Sequence, residues 1–152
     1  MDTFGPLDTR LTTAKAFPAA NANNQSDALP IGGGDTFARR DGRLFIDIPA
    51  NEILADGIAI TAKVQHSSDN GVADSFADVA CLGAVAVLGI TGDGTPAATV
   101  PGAFEVLPNG TVRISWPCPV NLKRFARVHV AVAADGGNLT GLNYTFGYAT
   151  HS

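Results

Sequence analysis

Charge is scarce in this sequence. Asp, Glu, Lys and Arg make up 16% of its 152 residues, against about 25% in an ordinary soluble domain. What charge there is leans negative, with a net value of −4. That sign argues against nucleic acid as the main partner, because phosphate binding needs a clustered positive field. Cysteine is just as sparse. Cys81 and Cys118 sit in the apolar contexts VACLGAV and SWPCPV. They are expected as buried free thiols in a reducing compartment, with a disulfide between them left open. No CxxC and no paired-histidine spacing occurs, so neither a metal nor another cofactor is expected. The longest apolar run, Val79 to Ile90, falls short of the roughly 20 residues a membrane helix needs. No membrane partner is therefore expected. The opening MDTFGPLDTRLTT lacks the basic and apolar regions of a signal peptide, so synthesis in a cytoplasm is the expectation. The N-x-[ST] sequons at Asn24, Asn109, Asn138 and Asn143 then read as turn and strand residues.

What is plentiful is small and turn-forming: 17 Gly and 9 Pro stand beside a hydrophobic fraction of 45%. A chain this long suits one domain and can bury roughly 70% of its unfolded surface without a staple. From Arg43 onward the apolar residues alternate. In RLFIDIP, Leu44, Ile46 and Ile48 share a face. In GIAITAKVQH, Ile58, Ile60, Ala62 and Val64 do the same. FARVHVAVA puts Ala126, Val128, Val130 and Val132 on one side and Phe125, Arg127 and His129 on the other. LTGLNYTFGYAT aligns Leu142, Tyr144, Phe146 and Tyr148. Period-two alternation of this kind predicts half-buried strands. FEVLPNGTVRISW reads as a hairpin through Pro108-Asn109-Gly110. VACLGAVAVLGI is read as a strand from its β-branched content, and PANEILADG as one short helical turn. The predicted class is all-β: a jelly-roll-like antiparallel β-sandwich over residues 43–152.

Residues 1–42 differ. FPAANANNQSDALPIGGGDTF is rich in Ala, Asn, Gly and Pro and shows no sustained period. Such a segment reads either as a disordered arm or as an extended one; the extended N-terminal arm is predicted, ordering on a neighbour through the spaced apolar anchors Leu11, Phe17, Leu29 and Ile31. Two basic groups, Arg39, Arg40 and Arg43, then Lys123, Arg124 and Arg127, read as solvated edge charge or as salt-bridge donors to an acidic protein neighbour. Of these, Arg39, Arg40, Lys123 and Arg124 join the four anchors as candidate partner-binding residues.

QHSSDNGVADSF contains the residue types of a hydrolase or a cation site. The G-x-S-x-G elbow of a serine nucleophile is absent. His66 and Ser67 are adjacent, so a strand would aim them at opposite faces. Asp69, Asn70 and Asp74 supply oxygens, but not at calcium-loop spacing. Ser, Asp, Asn and Gly are also the residues that build loops by satisfying their own backbone, and a connection is the expectation here. IGGGD and GDGTP lack the strand-to-helix context of a phosphate cradle and read as turns. Trp116, Tyr144 and Tyr148 are expected as core or interface aromatics, with a sugar-stacking platform on Trp116 or Tyr148 as the alternative.

The order GIAITAKVQHSSD, SFADVACLGAV, VRISWPCPV, LKRFARVHVAVA, GLNYTFGYA resembles the capsid cement (decoration) proteins of tailed bacteriophages, typified by that of a Bordetella phage. The resemblance runs over roughly residues 43–150, and the N-terminal forty residues depart from it. It implies a virion structural protein with no enzymatic activity, a jelly-roll-like fold and a homotrimer on the capsid exterior that clamps major capsid protein subunits. In that family the wording after the strand is a surface connection, and there are no catalytic residues to carry over. A carbohydrate-binding β-sandwich module is the alternative function, and a small hydrolase using His66 the third.

Overall fold

The structure, a computed structural model, describes residues 11–19, 21–31, 42–49, 59–82, 85–90, 96–98, 103–108, 111–119, 121–132 and 141–150. Among them there is no helix. The strands are β1 (Thr12–Ala16), β2 (Asn23–Gln25), β3 (Gly42–Ile48), β4 (Ala59–Ser67), β5 (Ala77–Asp78), β6 (Val85–Ile90), β7 (Pro96–Ala98), β8 (Ala103–Val106), β9 (Val112–Pro117), β10 (Phe125–Val132) and β11 (Asn143–Thr150). They form two antiparallel sheets packed face to face as a β-sandwich. One is five-stranded in the order β1-β11-β3-β9-β8. The other is six-stranded in the order β2-β10-β4-β6-β7, with β5 also on β4.

The alternation in the sequence becomes cross-strand rows in the core. Tyr148, Leu44 and Trp116 stand opposite one another on β11, β3 and β9, and Phe146, Ile46 and Ile114 form the next row. All six are at most 4% exposed. From the other sheet, Val64 faces Val128 and Ala62 faces Val130, and these four are also buried. Both inner faces belong to one hydrophobic cluster, the expected interdigitated core of a sandwich. The hairpin predicted around Pro108 is β8–β9, closed by the Leu107 N–H donating to Thr111 O at 2.8 Å. VACLGAVAVLGI is not one strand. It turns at Ala80–Leu82 before β6 starts, with Val79 and Leu82 buried on either side of an exposed Cys81. Cys81 is thus not the buried thiol expected. Cys118 is buried, and no disulfide joins the two. PANEILADG beyond Pro49 lies outside the described residues, as does Ile58.

The order β10-β4-β6-β7 is a Greek key: three strands in series and a fourth returning beside the first. A jelly roll is defined by two such keys. In the other sheet β8 and β9 instead form a hairpin beside β3.

The segment expected as a separate arm takes part in both sheets. β1 pairs with β11 at the edge of the five-stranded sheet, and β2 pairs with β10 at the edge of the six-stranded one. Phe17, Leu29 and Ile31 are 9%, 7% and 5% exposed within the chain's own core, and Leu11 packs against it. Phe17 meets the Tyr144 ring edge-on at 5.3 Å. Asn24 ties the two sheets together at this edge. Its amide donates to Ala16 O at 2.7 Å, and its carbonyl accepts the Tyr144 hydroxyl at 2.8 Å. The irregular composition of residues 11–31 hid this because each strand is short and its partners lie more than a hundred residues away.

The outward face of the five-stranded sheet carries one buried aromatic. Phe45 lies across Gly147, where a Cβ would come within 2.6 Å of the ring and 2.8 Å of the Thr12 methyl, so only glycine fits. Arg113 covers the ring with its guanidinium 4.6 Å from the centroid. It also holds Asp47 by two bonds, Nε at 2.7 Å and Nη2 at 2.8 Å, the fork geometry arginine offers a carboxylate.

Candidate functional site

The loop after β4 is built inward from two side chains. Ser67 is fully buried. Its hydroxyl donates to Asp74 O at 2.6 Å and accepts the Gly71 N–H at 2.8 Å and the Asp69 N–H at 3.3 Å. The Asp69 carboxylate accepts three backbone N–H groups: Val72 at 3.0 Å, Ala73 at 2.7 Å and Asp74 at 3.1 Å. Asn70 and Gly71 supply consecutive positive φ angles of 62° and 80°, which Asn and Gly tolerate best. Asp74 accepts the Ser68 N–H at 2.8 Å and the Lys123 ammonium at 2.8 Å. The Lys123 backbone N–H donates to His66 Nδ1 at 3.2 Å. Both ends of the loop are therefore tied to the segment leading into β10.

These bonds set the electrostatics. The Ala73 N–H, with those of Asp74 and Val72, holds the Asp69 carboxyl below the ordinary carboxylate range. The Lys123 ammonium, then the Ser68 N–H, brings Asp74 down to about 2. Burial, reinforced by the Lys123 charge, lowers His66 and keeps its imidazole neutral, against a smaller opposing pull from Asp74.

The geometry answers the questions raised by this stretch. His66 and Ser67 do not bond to each other; each is occupied by the loop or by Lys123. Asp69 and Asp74 turn their oxygens to backbone N–H groups and Lys123. No group of three or more metal-ligating side chains comes together among the described residues. What the loop offers outward is its tip, where Val72 is 86% exposed on a backbone that Asp69 holds in place.

Next to the loop, the outer face of the six-stranded sheet carries a connected polar row. Lys63 Nζ donates to Asp78 Oδ2 at 2.9 Å, Gln65 Nε2 to Asp78 Oδ1 at 3.0 Å, and Arg127 Nε to Gln65 Oε1 at 3.0 Å. Gln65 first, then Lys63, holds Asp78 below its ordinary range. The Arg127 guanidinium stacks on the Phe76 ring, 4.1 Å from its centroid. His129 sits opposite Lys63 on this face, lowered chiefly by burial. Beside the row opens a groove of about 610 Å³, walled by Ser26, Asp27, Asn70, Ser75, Phe76 and Arg127 among others.

The residues singled out from sequence are dispersed. Leu11, Phe17, Leu29 and Ile31 belong to the core or its margin. They are not anchors for a neighbour, because β1 and β2 carry them into the chain's own sheets. Lys123 is engaged by Asp74. Arg124 is exposed, with its guanidinium 5.2 Å from the Phe125 ring. Arg39 and Arg40 lie outside the described residues. Trp116 and Tyr148 are 1% and 4% exposed, so neither can serve as a sugar-stacking platform. Sequence reading missed the convergence of Arg127, Phe76 and Asp27. The alternation of FARVHVAVA puts Arg127 outward, but what stands beside it depends on β10 lying between β2 and β4. Comparison with protein-family models, curated proteins and solved structures finds no match.

Proposed function

We propose that this chain is a virion structural protein, a cement protein that binds the outer surface of a tailed-phage head and clamps its major capsid protein subunits, acting as a homotrimer. The observation that carries a protein-binding role is the loop after β4. The side chains of Ser67, Asp69 and Asp74 are spent on holding its shape, and it displays an exposed Val72 at the tip they fix. A loop ordered before it binds loses little entropy when it docks. Low charge and the strand-by-strand resemblance to cement proteins support the same reading. Attachment as a trimer would raise avidity without any one contact being tight.

The reading differs from the sequence-based one in where contact is made. Phe17, Leu29 and Ile31 are committed internally, so the candidate contact surface shifts to the loop tip, the groove beside it and the exposed Arg124. The carbohydrate-module alternative is left without Trp116 and Tyr148, the residues that suggested it. Heads assembled without this protein should resist heat better once it is added back, and a melting profile unchanged at saturating protein would overturn the clamping role.

A further inference from the structure

On the outer face of the six-stranded sheet Lys63 has a carboxylate, Asp78, and at the adjoining loop Lys123 has Asp74. Arg127, on the same face as Lys63, has none among the described residues. Its Nε is used by the neutral Gln65, its flat face lies on Phe76, and no group among the described residues takes its two Nη nitrogens. Those contacts fix the plane of the guanidinium and leave its end free. Partial burial against β10 and Phe76 removes some of the water that would otherwise satisfy it. A guanidinium oriented in this way is suited to a planar, two-oxygen acceptor.

We propose that the groove beside Arg127 is a carboxylate site, where the Nη pair takes an acidic side chain of a partner protein end-on. The lining restricts the ligand further. Asp27 shares the groove with Arg127, and its negative charge disfavours a dianion such as phosphate or a polyanionic strand. It repels a single carboxylate less, and the N–H donors that flank an Asp or Glu in an exposed peptide loop can offset that repulsion. Asn70 and Ser75 in the same wall can donate to or accept from the backbone of that loop. Gly71 also lines the groove, and its N–H bond to Ser67 ties the groove's shape to the loop that carries Val72. The acidic partner rests on the protein-binding reading above, whereas the carboxylate chemistry rests on the groove alone.

The test is a titration of the full chain, following the Arg127 Nε–H and the Gly71 and Phe76 amides by NMR. The probes are N-acetyl-aspartate N-methylamide, its asparagine counterpart and inorganic phosphate. Saturable shifts with the aspartate probe, absent with the asparagine one and weak with phosphate, are expected. Arg127→Gln, with its fold verified by the dispersion of the remaining amides, should weaken binding at least about tenfold, the low end for a hydrogen bond to a charged group. Asp27→Asn, which leaves the guanidinium untouched, should admit phosphate. Equal shifts with the asparagine probe, or undiminished binding by Arg127→Gln, would overturn the site. Heads that bind Arg127→Gln as tightly as the native chain would refute the acidic partner while leaving the cement reading intact. A positive titration together with no binding to heads by either chain would refute that reading and keep the carboxylate site.

Discussion

Two buried polar groups behave in opposite ways. The Ser67 hydroxyl has three partners in the loop. The Trp116 indole N–H, equally buried, has no hydrogen-bond partner among the described residues. An orphan donor of this kind costs about 1–3 kcal/mol. Trp116→Phe should therefore be milder than its lost area suggests, since it removes the orphan with the ring. Trp116→Ala should cost about 3–5 kcal/mol through the cavity it leaves between Leu44 and the opposite sheet. Urea denaturation of both variants checks this, and a Phe variant as unstable as the Ala variant would mean the N–H is satisfied in solution. The same row illustrates what the sequence disclosed at this scale. Trp116 and Tyr148 were legible as inward residues from alternation, because period two fixes the face. Core and exposed platform are told apart by what stacks on that face, and this depends on the second sheet.

Among the elements, the loop after β4 should respond to pH through His66 and the carboxylates Asp69 and Asp74. The Asp74 carboxyl is lowered in the fold, so its contribution is complete above the ordinary carboxylate range, near pH 3.9, and is lost as pH falls toward about 2. His66 is also lowered. Its neutral form supports the fold above an ordinary imidazole value near 6.5, and that support is lost as pH falls through its depressed folded value. Acidification should therefore release the loop in two stages, His66 first and the carboxylates of Asp69 and Asp74 after it. Carbon shifts of the imidazole and the carboxyl would follow both. Lys123→Ala should raise both titrations, because the ammonium disfavours imidazolium and favours carboxylate. An unmoved Asp74 would contradict the role given to Lys123. As elements, β3, β4, β9, β10 and β11 were legible because each alternates over at least six residues. β2 spans three residues, too few for a period to show, and β1 reads TTAKA with three of five residues exposed. The loop's composition announced a connection. Its internal bonding and the adjoining Arg127 groove required the long-range register of β10 on β4.

For the whole molecule, the main departure from the sequence reading is that residues 11–31 belong to the sandwich. Deleting residues 1–42 would remove β1, β2, the Asn24 tie and three buried apolar side chains. Losses of roughly 2–5 kcal/mol per buried side chain sum to the range of a whole domain's stability, about 5–15 kcal/mol. That truncation should fail to fold cooperatively. A cooperative, native-like transition for it would show that the edge strands are dispensable. The two ends of the chain are therefore coupled: β1 completes the sheet containing β11, and β2 completes the sheet containing β10. The proposed cement role is then to be sought on the assembled sandwich, at the loop tip and groove. The measurement that tests it most directly is co-sedimentation of the purified full chain with expanded phage heads assembled without it, carried to saturation. Saturable binding at a fixed number of copies per head, in multiples of three at each symmetry site, is the predicted result. No binding at concentrations well above micromolar would contradict the account.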